Sequence, residues 1–201
     1  MPSENHALIV IDVQNDFCPG GALAVADGDG IIAGINDLMP QFSTIVLTQD
    51  WHPGGHSSFA SSHLGKEPFD MIDMPYGPQV LWPDHCVQGS DGAEFHRTLN
   101  VNAAQNIIRK GFRKSIDSYS AFFENDHETP TGLSGYLQTR GITDVTLVGL
   151  ALDYCVAFSA VDAANLGFKT TVLQELTRAI DMGGSLEQAM LNIKDAGVNV
   201  V

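Results

Sequence analysis

Three residues able to share one reaction lie far apart along the chain: Asp12, Lys110 and Cys155. Cys155 follows a short apolar run, Asp144 to Val148, and precedes a stretch where Val156, Ala157, Ala160, Val161 and Ala164 recur at helical spacing up to Gly167. The pattern predicts a buried strand, a turn, and a helix from about Tyr154, with the thiol at the helix start. Unpaired N–H groups and the positive end of the helix dipole there favour a thiolate and can receive an oxyanion. That is the chemistry of nucleophilic attack on a carbonyl. A lone cysteine in an apolar helix is more often inert packing, so its partners carry the argument. Asp12 is the candidate to take and return the thiol proton, provided burial raises its pKa. Lys110 would hold Asp12 ionised and add positive potential. Lys114 is the competing lysine, but it lies four residues beyond the strand end, in a loop.

A second group has the composition of a metal site. In extended chain, residues two apart point the same way, so Asp50 and His52 can grip one ion. His85, in Trp82-Pro-Asp-His-Cys86, would complete a two-histidine, one-carboxylate set that leaves positions open on Zn²⁺ or on Fe²⁺ or Mn²⁺. His56 and Ser58 are candidates to complete the shell, directly or through water. His6, His63, His96 and His127 are read as solvated, Cys86 as packing or a soft ligand, and Cys18 as a non-catalytic loop thiol.

The elements that must position these groups follow from periodicity. Continuous apolar runs at Ala7–Ile11, Ser43–Leu47, Gln105–Ile108, Asp144–Val148, Lys169–Leu173 and Val198–Val201 read as strands. Helical patterns fall at Ile31–Met39, Gly132–Arg140, the segment after Tyr154, and Ser185–Ala196, with Ser185 as N-cap candidate. Between Trp51 and Asn102 the pattern dissolves into Gly, Pro, Ser and His, and a connection this long is either functional or disordered. Its Trp and His residues favour function. Strands alternating with helices predict a three-layer α/β/α sandwich around a mostly parallel, roughly six-stranded, Rossmann-like sheet. Ligands bind such sheets beyond the carboxyl ends of the strands, where Asp12, Asp50, Lys110 and Cys155 all fall.

With 201 residues the chain suits a single domain over 1–201, carrying a metal-binding loop insertion at about 51–102. Ten basic against 24 acidic residues give a formal net charge of −14. That argues against nucleic acid and anionic membranes as partners, disfavours a phosphoesterase, and makes a neutral small molecule the easier substrate. The 3 cysteines cannot all pair, which fits a reducing cytoplasm. The start has no basic segment followed by an apolar one, so no secretory leader is expected. No apolar run approaches a membrane span.

Four motifs resemble the nicotinamidases of the isochorismatase-like cysteine hydrolases: Ile11-Asp-Val-Gln-Asn-Asp-Phe17, Thr48-Gln-Asp-Trp-His-Pro53, Trp82-Pro-Asp-His-Cys-Val87 and Gly149-Leu-Ala-Leu-Asp-Tyr-Cys-Val156. The stretch Arg109-Lys-Gly-Phe with Asp117-Ser-Tyr-Ser-Ala-Phe122 is similar to the family's lysine segment. The resemblance implies an Asp12, Lys110 and Cys155 triad and a divalent metal on Asp50, His52 and His85. It also implies a cis Leu150–Ala151 peptide and an oxyanion hole from the N–H groups of Ala151 and Cys155. Phe17, Trp82 and Tyr119 would sandwich the substrate ring. The activity implied is hydrolysis of nicotinamide, and of pyrazinamide, through a cysteine thioester in NAD salvage. Two alternatives are an amidase of the same family acting on another small amide or carbamoyl compound, and a non-catalytic protein that binds a small aromatic ligand. Two positions depart from the family pattern: His56 follows the Asp-x-His pair closely, and Leu152 stands where Thr is frequent. A homo-oligomer is left open.

Overall fold

Six strands set the architecture in the computed structural model, which describes residues 3–201. β1 (His6–Ile11), β2 (Thr44–Asp50), β5 (Asn106–Lys110), β6 (Asp144–Leu150), β7 (Lys169–Arg178) and β8 (Asn199–Val200) form one parallel sheet in the order β5-β2-β1-β6-β7-β8. Alternate residues of β1 serve two separate cores. Ala7, Ile9 and Ile11 pack with α2 (Leu133–Thr139), α3 (Ala157–Asn165) and α4 (Ser185–Asp195). Leu8 and Val10 pack with α1 (Ile32–Leu38) and with loop residues such as Trp82 and Cys86. Burial on both faces explains why the central strands β1, β2 and β6 read as largely apolar runs. The three layers are as expected, but the second outer layer is one short helix completed by ordered loop.

The strand order reverses direction between β1 and β6, which is where a parallel sheet opens a crevice at its carboxyl edge. Gly149 permits that junction: its φ is +112°, and a Cβ there would fall on the backbone of Ile11.

Several local expectations are corrected. The 51–102 segment is not structureless: it holds an antiparallel hairpin, β3 (Met71–Met74) and β4 (Gly77–Val80), with short 3₁₀ turns. It also zips onto itself, with His52 N–H donating to the Cys86 carbonyl and Trp82 N–H to that of Ser58. After β6 the chain makes a wide π-helical turn, Leu152–Val156, before α3 begins at Ala157. Ser185 is the first residue of α4 rather than its cap, which is Gly184 at φ 87°. Among the described residues no helix is long and apolar enough to cross a membrane, and Cys18, Cys86 and Cys155 are unpaired.

Candidate active site

Register brings the first two charged groups together. Asp50 and Lys110 end neighbouring strands directly opposite each other, and Lys110 Nζ lies 2.9 Å from Asp50 Oδ1. The same ammonium is 2.9 Å from Asp12 Oδ2, 3.0 Å from the Ser118 carbonyl and 3.4 Å from Cys155 Sγ. Lys110 is 1 % exposed, and a cation so buried persists only with partners of this kind. Lys114 is exposed in the following loop. Asp12 follows β1 at φ 46°, a left-handed conformation that Asp tolerates. There it is clamped by Thr48, whose hydroxyl donates to Oδ1 at 2.6 Å and accepts the Asp12 N–H at 3.1 Å. The Lys110 contact to Oδ2 is a close ion pair with poor hydrogen-bond alignment, and Oδ2 has no aligned donor in the described residues.

Protonation differs from the sequence expectation of a thiolate. Burial pushes the Cys155 thiol well above its ordinary range; Lys110 opposes the rise, while Asp12 and Asp50 add to it. Burial also raises Asp12, only partly offset by Lys110. Burial thus works against charge on both groups, favouring the thiol form of Cys155 and making Asp12 a stronger base. Burial works against the charge on Lys110 too, but Asp12 and Asp50 outweigh it and hold the ammonium protonated.

Beside this group, two imidazoles converge on one carboxylate oxygen. His52 Nε2 is 3.2 Å and His85 Nε2 3.4 Å from Asp50 Oδ2. The other ring nitrogen of each is held by a carbonyl: His52 Nδ1 by that of Gly111 at 2.9 Å, His85 Nδ1 by that of Pro83 at 2.8 Å. Both Nδ1 atoms are thus donors, and both Nε2 atoms face the shared point, with the second ring nitrogen held as is usual for metal-binding histidines. Burial disfavours charge on His52, yet Asp50 lifts its pKa to about 9. A divalent cation fits this donor set: a carboxylate oxygen of Asp50 and the Nε2 atoms of His52 and His85, all buried, converge on one point.

His56 and Ser58 are brought near but bonded elsewhere. The His56 ring is 4.4 Å from that of His52. Its Nδ1 is paired with Ser58 at 2.8 Å, and its Nε2 lies 2.9 Å from the Arg113 carbonyl and 3.1 Å from that of Ile116.

A narrow cavity joins the two groups, walled by Phe17, Leu23, Trp82, Tyr119, Ala151, Tyr154 and Ile180, with Asp50, His85, Asp117 and Cys155 at its end. The Leu150–Ala151 peptide is cis. A roomier groove of about 310 Å³ between α3 and α4 shares only Tyr154 with it and holds none of the reactive residues. The smaller cavity is the one that Asp50, His85 and Cys155 line.

The Isochorismatase domain family matches residues 6–201. The chain belongs to the isochorismatase family. Within that family, a nicotinamidase of Acinetobacter baylyi is 58 % identical over 98 % of this chain and 92 % of its own length. The solved structure of an Acinetobacter baumanii nicotinamidase pyrazinamidase superposes with a TM-score of 0.99 at 56 % identity, covering 100 % of this chain and 97 % of that one. A Pyrococcus horikoshii pyrazinamidase solved with zinc gives 0.79 at 35 % identity, with 98 % of each chain covered.

Several residues of this isochorismatase-fold site escaped the sequence reading. Gln14 doubles the backbone of Asp50, accepting its N–H and donating to its carbonyl, both at 2.8 Å. Asp153 accepts from the N–H groups of Ile180 and Asp181 and from the Ser185 hydroxyl, so it anchors the loop that brings Ile180 to the cavity. Asp117 places Oδ1 3.9 Å from His52 Nε2. Gln14, Thr48, Asp117 and Asp153 all lie in the quoted motifs, which was the available signal.

Proposed function

We infer that the chain is a nicotinamidase, an amidohydrolase that converts nicotinamide to nicotinate and ammonia in NAD salvage and also accepts pyrazinamide. One observation carries the reading: a single buried ammonium, Lys110, touches Asp12, Asp50 and Cys155 at the end of a cavity walled by aromatic rings. Residues 1–201 act as one domain whose insertion, about 51–102, brings His52, Trp82 and His85 to the sheet edge.

Cys155 is the nucleophile, Asp12 the proton carrier and Lys110 the fixed positive charge. As sulfur attacks the carboxamide carbon, the thiol proton passes to Asp12. The oxyanion rests on the N–H groups of Ala151 and Cys155. Asp12 then protonates the departing amine, the C–N bond breaks, and a thioester remains. Water attacks the thioester, Asp12 takes its proton, and the sulfur leaves with the proton restored. A raised carboxylate suits both halves, since it must accept and return one proton in each. Phe17, Trp82 and Tyr119 orient the flat ring. A divalent cation such as zinc, on Asp50, His52 and His85, would supply a Lewis-acidic anchor for the ring nitrogen. The free thiols and acidic surface suit the cytoplasm.

Ammonia release over a panel of nicotinamide, pyrazinamide, benzamide and N-carbamoyl amino acids tests the reading. Nicotinamide and pyrazinamide are expected to lead. A carbamoyl compound turned over faster than either would replace the substrate assignment.

A further inference from the structure

Gln79 belongs to β4, which contributes no side chain to the wall of the reactive cavity, yet it is completely buried. Its amide is fully engaged, and the orientation is fixed by donors that cannot be reversed. The backbone N–H of Tyr119 donates to Asn125 Oδ1 at 2.9 Å, so Asn125 Nδ2 is what meets Gln79 Oε1 at 3.1 Å. Gln79 Nε2 then faces the other way, 2.7 Å from the Val80 carbonyl, 2.8 Å from the Tyr119 hydroxyl and 3.1 Å from Asp117 Oδ2. A carboxylate oxygen only accepts, which agrees with a donor at that end. Tyr76 adds its hydroxyl to Oε1 at 3.1 Å.

Tyr119 is consequently held at both ends, by Asn125 at its backbone and by Gln79 at its phenol, where Trp82 Nε1 also donates at 3.1 Å. Asp117 is held with its second oxygen toward His52. One amide thus sets a cavity wall and a carboxylate beside a histidine of the metal group.

We propose that Gln79 is a positioning residue for substrate binding: through Tyr119 it fixes the aromatic wall, and through Asp117 it steadies the His52 side of the metal site. The first arm rests on the reading that the cavity takes nicotinamide; the second does not. A purely structural role, filling the hairpin's polar needs, would lower stability without a selective effect on KM.

The test uses the full, zinc-loaded chain. Gln79→Met keeps the side chain's length and removes its hydrogen bonds. It is expected to raise KM for nicotinamide about tenfold, the worth of one lost hydrogen bond, with kcat within about threefold. In a Tyr119→Phe background the same change should raise KM no more than about twofold, because the shared contact is already gone. Asn125→Asp, which leaves the β4 residue untouched, should act in the same direction by removing the donor that orients the amide. Zinc affinity measured against a chelator reads the second arm without nicotinamide and should weaken at least about threefold in Gln79→Met. Unchanged KM in a folded variant, equal effects in both Tyr119 backgrounds, or unchanged zinc affinity would each overturn the corresponding arm. Failure of the wild type to hydrolyse nicotinamide would instead sink the substrate reading and leave the zinc measurement to decide the second arm.

Discussion

A cysteine this buried is a poor thiolate, and nucleophilic attack needs somewhere for the proton to go when substrate arrives. Asp12 is the acceptor we propose, and burial has raised its pKa in the same direction as that of the thiol. Moving one proton from sulfur to carboxylate leaves the total charge beside Lys110 unchanged, which is why a low-dielectric site can tolerate it. Two outcomes follow. Cys155→Ala should abolish ammonia release while nicotinamide binding by calorimetry persists; turnover above trace contamination would exclude the thioester route. Asp12→Asn should cost roughly 10²–10⁴-fold in kcat/KM, the usual worth of a general base. In the wild type the ionised carboxylate is the working form, so kcat/KM should fall as pH drops toward the raised Asp12 value, above the usual aspartate range. An acid limb centred at or below the ordinary aspartate pKa of about 3.9 would mean that burial does not set this base.

At the scale of elements, the strand ends were legible because strands buried on both faces must be continuous apolar runs, and a polar residue that terminates one is conspicuous. Asp50 and Lys110 stand out on that ground alone; their direct pairing depends on register, which no local pattern encodes. The long connection was illegible for the opposite reason. β3 and β4 are half-exposed, and Pro78 lies inside β4, so period-2 alternation is faint and a proline argues against a strand. The signal for Gln79 vanished with it. The helix-start argument for a thiolate counts local N–H groups but not the burial that raises the Cys155 thiol, nor the carboxylates of Asp12 and Asp50 that add to the rise. Gly111 illustrates what such a loop demands. Its φ is +64°, and a Cβ there would fall on the His52 ring. Gly111→Ala should therefore displace His52, reducing zinc content to well below one per chain, at a backbone cost of about 1–3 kcal/mol. Full zinc occupancy in that variant would show that the His52 position is not set by this close approach.

For the whole molecule, the formal charge of −14 is repeated in miniature at the sheet edge, where Asp12 and Asp50 both contact Lys110 and Asp117 lies beside His52. Taking such groups out of water is expensive unless they are paired, and without a metal that pairing falls to Lys110 and to His52, where burial disfavours charge but Asp50 raises the pKa. A cation bound there acts on the native state and not on the unfolded chain, and binding of that kind stabilises by about 2.7 kcal/mol when free metal is a hundred times Kd. For a domain of this size each kcal/mol moves Tm by roughly 2–4 °C, which gives an expected rise of roughly 5–11 °C when stripped protein is reloaded with zinc. The His52→Ala and His85→Ala variants should lose most of that increment along with their metal, and their KM for nicotinamide should rise more than their kcat falls, because the ion's part is to hold the ring. If stripped and reloaded protein melted at the same temperature, the carboxylates would have to be neutralised by protons instead, and the assignment of Asp50, His52 and His85 as the metal ligands would fall with that result.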